Sequence, residues 1–161
     1  MGRIQYGRRR GRGPTSGLLL LGSLDHHSLN AAAWHRLVAA VPQAHENFVL
    51  GESLAFNLLL GRAWPPEPAD LAEAEAICRE LALGDLLDRL AAGLSQRVGE
   101  GGWQLSHGEQ ARLFLARALL QDAELVLLDE ILAALDPVTF RQALDCVGKR
   151  TRTLLVIAHS N

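Results

Sequence analysis

Long apolar runs are missing from this chain. The longest near its start, residues 18–21, is four leucines, whereas a membrane-spanning helix needs about 20 apolar residues. The sequence therefore predicts no helix that crosses a bilayer. The apolar stretch after the basic start is also too short for a secretory signal. Cysteine is scarce, and Cys78 and Cys146 stand far apart. Two isolated cysteines do not suggest a disulfide framework or a metal site and read as two reduced thiols. Lysine occurs once, as Lys149. No acidic residue falls in residues 1–13, but Arg3, Arg8, Arg9, Arg10 and Arg12 do, so setting these five charges aside turns the net −2 into −7 for the remainder. A basic arm can bind nucleic acid or an anionic membrane surface. Here only Tyr6 interleaves and glycine alternates with arginine, so residues 1–13 are read as a disordered tail, and no nucleic-acid partner is expected.

What is present supports one sizeable core, because 48% of the 161 residues are hydrophobic. Pro14, Thr15, Ser16 and Gly17 form a cluster of turn formers. Residues 18–21 then read as a short buried strand stopped by Gly22, residues 28–38 as a short helix, and residues 38–41 as a strand ended by Pro42. From about 51 to 103 the character is helical. Pro65, Pro66 and Pro68 precede a helix over about 69–82, in which Leu71, Ala74, Cys78 and Leu81 recur at helical spacing and Glu73, Glu75, Arg79 and Glu80 face solvent. A second helix is predicted over 85–92. Residues 105–120 read as a helix with its lead-in, 124–128 as an apolar strand, 138–147 as a helix and 153–158 as a second buried strand. Apolar strands alternating with helices argue for an α/β fold, a parallel sheet covered on both faces, with the helical segment inserted into it.

Two places carry chemistry. Leu125, Val126, Leu127 and Leu128 lead into Asp129 and Glu130, which puts two carboxylates at the C-terminal end of a strand, the edge where open α/β sheets bind ligands. One carboxylate there can hold Mg²⁺ beside phosphates and its neighbour can polarise a water; strand-ending acidic residues also cap following helices. Ser106, His107, Gly108, Glu109 and Gln110 open a helix. Ser106 and Glu109 make an S-x-x-E capping box, and the same helix head, with a hydroxyl and a glycine, suits a phosphate. Each feature by itself leaves both readings open.

Their order narrows the choice. A serine-headed helix, a strand ending in Asp-Glu, then Ala133, Ala134, Leu135 and Asp136, then a strand leading to His159 is a specific succession. From about Gly13 to Asn161 the chain resembles the ABC transporter ATPase family, export type. Residues 106–110 resemble its signature motif (LSGGQ), residues 125–129 its Walker B strand and Glu130 its catalytic glutamate. Residues 133–136 are similar to its D-loop, His159 to its switch histidine and Gln43 to its Q-loop glutamine. Residues 98–102 (VGEGG) resemble the segment that contacts the membrane domains of exporters. His26, His27, His35 and His45 match nothing and receive no role.

The resemblance implies a P-loop NTPase-like parallel sheet core, with residues 14–161 a partial ABC ATPase domain and about 51–103 its helical subdomain. It also implies ATP and Mg²⁺ as cofactors. Asp129 would hold the metal, with Gln43 reaching metal and γ-phosphate; Glu130 would orient the water, and His159 would sense the γ-phosphate. Ser106, His107, Gly108, Glu109, Gln110 and Asp136 would face nucleotide at a head-to-tail seam with a second nucleotide-binding domain. The transmembrane domain of an exporter would be the other partner, placing the chain on the cytoplasmic membrane face. The phosphate-gripping string G-x-x-x-x-G-K-[ST] is absent: Gly2 and Gly7 have the spacing, but Arg8 and Arg9 stand where Lys and Ser/Thr belong. A cassette shortened at its front, with impaired ATP hydrolysis, is therefore expected; the alternative is a non-catalytic cassette that only binds a partner. Further departures are His107 for glycine, Glu109 for glutamine, Ala133 for serine, and the apolar Ile131 and Leu132.

Overall fold

The computed structural model describes residues 20–21, 24–25, 33, 36–43 and 46–158. The arginine-rich segment 1–13 and His159 lie outside the described residues, as do His26, His27, His35 and His45.

The central sheet has three parallel strands in the order β3-β4-β5, namely β3 (Val38–Val41), β4 (Leu125–Asp129) and β5 (Thr153–Ile157). Pro42, which lacks an N–H for the ladder, follows β3 as expected. Val41 pairs with Leu128, Leu125 with Thr153 and Asp129 with Ile157, so all three strands run out at the same edge. Parallel neighbours require crossovers. The first carries the whole helical region: α1 (Leu54–Leu58), α2 (Pro68–Glu80), α3 (Gly84–Arg89) and α4 (His107–Leu119). The second is α5 (Pro137–Arg150).

One apolar cluster joins the layers. Ala111, Leu113, Leu115 and Ala116 of α4 pack with Leu128, Ile131 and Val147, all with 0–1% of their surface exposed. Leu58, Ile77, Cys78 and Leu81 extend this core into the helical region. Glu73, Glu75, Arg79 and Glu80 are exposed, as the helical spacing requires. Helix α2 begins at Pro68, where a missing N–H is harmless, and Asp70 accepts the Glu67 N–H at 3.0 Å. It stops two residues before the expected 82 because Ala82 takes a left-handed φ of 58°. Helix α3 is shorter than 85–92, and α5 extends past 147 to Arg150.

Three expectations need correction. The strand at Leu20–Leu21 does not join the parallel sheet: it pairs antiparallel with Leu24–Asp25 (β1 and β2). Only Gly22 and Ser23 separate the pair in sequence, the length of a hairpin link. Of residues 28–38, Ala33, Arg36 and Leu37 are helical, while Val38 already belongs to β3. Strand β5 is not buried: Leu155 is 39% and Val156 40% exposed. It is the end strand of the described sheet with a strand neighbour on one side only, whereas the central β4 buries Val126, Leu127 and Leu128.

Candidate functional site

The register of the strands assembles the first half of the site. Asp129 is the last residue of β4, Glu130 follows it, and Gln43 lies two residues beyond Val41, the partner of Leu128. Adjacent strands lie about 4.8 Å apart, so these three residues leave neighbouring strands on one sheet edge. All three are half-buried. The Glu130 N–H donates to the Ile157 carbonyl at 3.0 Å, which carries the ladder one step past Asp129. Glu130 itself has φ 55°, ψ 3°. A left-handed glutamate costs about 1–2 kcal/mol, and such residues cluster at functional sites.

A tethered loop follows Gln43. The Gln43 carbonyl accepts from Glu46 N–H at 2.9 Å and Asn47 Nδ2 donates to the Pro42 carbonyl at 3.0 Å. Farther on, Asn57 of α1 grips Leu50 through both its N–H and its carbonyl. Asn57 is fully buried, and nothing in the sequence singled it out.

The chain then turns. After Glu130 a 3₁₀ turn, Ile131–Ala134, buries Ile131 and Leu132. Packing therefore accounts for apolar residues where the resembled motif has small or polar ones. Ala133 and Ala134 are exposed. Asp136 caps α5, its Oδ1 accepting from Val138 and Thr139 N–H at 3.0 and 3.1 Å. Thr139, side chain and backbone, holds this carboxyl below the usual range. Beside the turn lies an open depression of about 420 Å³ lined by Leu132, Ala133, Leu135, Pro137, Phe140 and Arg141.

The second half of the site is the head of α4. Ser106 is exposed, its Oγ accepts from Glu109 N–H at 3.3 Å, and Glu109 Oε2 accepts from Ser106 N–H at 2.7 Å. The capping box is thus formed. A helix head presents four N–H groups without helical acceptors, and the box engages those of Ser106 and Glu109. The amides of His107 and Gly108 are the two it leaves. Gln110 donates from Nε2 to the Leu105 carbonyl at 3.0 Å, steadying the lead-in. A side chain begun at Gly108 would stand 3.7 Å from the Ala134 carbonyl oxygen. That is ordinary contact, so the chain's own packing does not demand glycine there, and it places the head of α4 against the 131–134 turn. Glu109 also pairs with Arg89 at 2.5 Å. Burial works against its charge, but the Ser106 hydrogen bonds and Arg89 hold its carboxyl below the ordinary glutamate value.

Asp129 and Glu130 suit a cation that brings its own oxygens. No group of three or more His, Cys, Asp or Glu residues that could hold a metal occurs among the described residues. Mg²⁺ fits this edge in the way it ordinarily binds: through one or two carboxylates, with phosphate oxygens and waters completing the shell.

A three-stranded parallel sheet tipped by adjacent carboxylates and covered by helices is the core of a P-loop NTPase-like fold, present here as a fragment. The family model described as ABC transporter matches residues 10–133. The chain belongs to the ABC transporter family, and what it represents is the ATPase domain of exporter-type members. It is similar to the glutathione/L-cysteine transport system ATP-binding/permease protein CydC of Escherichia coli (strain K12), 43% identical over 148 residues, covering 91% of this chain and 24% of that protein. It is also similar to the β-(1→2)glucan export ATP-binding/permease protein NdvA of Rhodopseudomonas palustris (strain BisB5), 39% identical over 149 residues, again 91% and 24%. Among solved structures, a bacterial Atm1-family ABC exporter with ATP bound superposes with a TM-score of 0.78 at 28% identity, over 92% of this chain and 25% of that one. The chain thus spans about a quarter of the length of these relatives. No helix among its described residues is long and apolar enough to cross a membrane.

Proposed function

We propose that the chain acts as the ATP-binding cassette of an ABC exporter, coupling ATP binding and hydrolysis to transport across a membrane. It does so in a head-to-tail dimer with a second cassette and in contact with an exporter's transmembrane domain on the cytoplasmic face. The observation that carries this reading is the pair of amides, His107 and Gly108, left by the Ser106–Glu109 box on a helix head exposed beside the turn that follows Glu130. A helix N-terminus with spare N–H groups favours phosphate. In this reading the Ser106 hydroxyl and those two amides contact an ATP held mainly by the partner, with Glu109 and Gln110 fixing the head and Asp136 fixing the adjoining turn. At the chain's own sheet edge Asp129 holds Mg²⁺, which neutralises phosphate charge when bound. Glu130 orients the attacking water, and Gln43 and His159 respond to the γ-phosphate.

The 161 residues contain no G-x-x-x-x-G-K-[ST] string, so this chain by itself binds ATP weakly. Each missing charge-assisted hydrogen bond is worth about 1.5–3 kcal/mol. Equilibrium dialysis of the purified 161-residue chain against labelled ATP and Mg²⁺ tests this; micromolar affinity refutes it. The same absence favours a second reading, a cassette that only binds a partner. Mixing with an intact cassette separates the two. The first reading expects a gain in ATP hydrolysis that Ser106→Arg abolishes, and the second expects complex formation without gain.

A further inference from the structure

We propose that Arg89 is a positioning residue that couples the Trp103 indole to the head of α4, so that displacing Trp103 re-aims the Ser106 end of the helix. The coupling stands on the contacts themselves; its consequence for ATP rests on the reading of that helix head given above.

Arg89 ends α3 and touches three things at once. Its Nε donates to the Asp85 carbonyl at 3.2 Å, which steadies the side chain against its own helix. Its Nη2 donates to Glu109 Oε1 at 2.5 Å. Its guanidinium carbon lies 5.9 Å from the centroid of the Trp103 ring. The Glu109 carboxylate is therefore shared: one oxygen takes Arg89 and the other takes the Ser106 N–H at 2.7 Å. A planar carboxylate cannot turn toward one partner without turning from the other.

Exposed ion pairs are worth little, and the Arg89 side chain is 54% exposed. Glu109, however, is only 12% exposed and already held by the capping box. Most of the ordering entropy at the acidic end is therefore spent before the pair forms. The resembled motif carries glutamine at this position. A glutamine could accept from the Ser106 N–H, but it carries no charge for Arg89, so the charged part of this contact depends on the glutamate at 109.

Trp103 is carried by a stiff turn. Its N–H donates to the Arg97 carbonyl at 2.9 Å and its carbonyl accepts from Gly99 N–H at 3.0 Å. A Cβ at Gly102 would meet the Arg97 carbonyl oxygen at 2.6 Å. These bonds tie both ends of the turn over residues 97–103 together, and Trp103 is 38% exposed.

The test is amide hydrogen exchange of the 161-residue chain by NMR, read at Ser106, Glu109 and Gln110, with Ile77 and Cys78 of α2 as controls. Arg89→Leu should speed exchange at the three α4 amides about two- to five-fold and leave the controls unchanged. Trp103→Leu should do the same more weakly, the double variant should not exceed Arg89→Leu, and Arg89→Lys, which keeps the charge but not the planar fork, should restore only part of the protection. Unchanged exchange in Arg89→Leu overturns the proposal, as do strictly additive effects or a rise that includes the α2 controls. None of these readings needs nucleotide or a partner. The gain in ATP hydrolysis on mixing with an intact cassette is measured separately: its absence in the wild-type chain counts against the functional reading, and exchange still decides the coupling.

Discussion

Replacing Asn57 by leucine removes the one fully buried polar side chain among the described residues. Asn57 Nδ2 donates to the Leu50 and Ser53 carbonyls at 3.0 and 3.1 Å, and Oδ1 accepts from Leu50 N–H at 2.9 Å and Arg117 Nη2 at 3.3 Å. Leucine keeps the branched shape but is bulkier than asparagine, so no cavity opens and overpacking at this filled site adds to the polar loss. Ser53 keeps an N–H partner, because the Asn57 backbone still donates to its carbonyl at 3.1 Å. Arg117 keeps the Asn57 carbonyl at 2.7 Å. Leu50 loses the partner of its N–H, while its carbonyl keeps the Glu52 N–H at 2.7 Å. A buried group left unsatisfied costs about 1–3 kcal/mol. Leu50 is 41% exposed, so water partly reaches its N–H and that loss falls toward the low end, which together with the overpacking gives about 2–3 kcal/mol in all. Burial already pushes Arg117 down to about 10, so losing one acceptor adds to that burden. Urea unfolding followed by far-UV circular dichroism should show this as a lower midpoint with unchanged slope. In a thermal melt, Tm should fall roughly 5–10 °C for a chain of this size. A loss below about 0.5 kcal/mol, ordinary for a surface change, would refute the claim that this side chain holds the loop after Gln43.

Gly99→Ala should cost about 1–2 kcal/mol in the same urea assay, because φ is +75° and the new methyl would meet the Val49 and Leu50 carbonyl oxygens at 3.0 Å. Leu128→Ala, at a fully buried position in the central strand, should cost about 2–5 kcal/mol. The carboxyl of Glu109 titrates below its ordinary value of 4.5. The folded state therefore binds fewer protons than the unfolded state there. The stability this group contributes is complete above 4.5 and is lost as pH falls through its lower folded value. Urea midpoints between pH 7 and pH 3 should show a shallower acid loss in Glu109→Gln than in the wild-type chain.

The elements that the sequence revealed are those whose signals are local. Pro42 ends β3, the Ser106–Glu109 spacing forms its box, and the period of Ala74, Cys78 and Leu81 turns inward. What stayed hidden depends on neighbours distant along the chain. A run of leucines states that a strand is apolar but not what it pairs with, and so Leu20–Leu21 took an antiparallel partner four residues away. The apolar β5 likewise carries no information about whether anything covers Leu155 and Val156. Short α1 was not separated from the helical stretch, although Ser53, whose Oγ accepts from Phe56 N–H at 3.1 Å, marks its start. The Arg89–Glu109 and Asn57–Leu50 contacts had no pattern to betray them, because each joins residues whose meeting depends on how helices pack.

At the candidate site the difficulty was of another kind. The residues were readable, yet Ser106 and Glu109 were equally explained as a helix cap and as a phosphate-facing motif, and sequence offered these as rivals. The geometry separates them by atom. Capping engages the N–H of Ser106 and of Glu109, and phosphate contact would draw on those of His107 and Gly108, so one helix head can do both without competition. The same division argues against treating the cap as the ordinary explanation that makes the functional one unnecessary. A head that needed only capping could carry any small residue at 108, since the nearest atom to a new methyl there is 3.7 Å away. Gly108→Ala should therefore leave the urea midpoint within about 1 kcal/mol, the helix interior favouring alanine, yet reduce the gain in ATP hydrolysis on mixing with an intact cassette. Loss of stability without loss of gain would show that the glycine serves packing and not the close approach of phosphate to this helix head, since alanine keeps the backbone N–H.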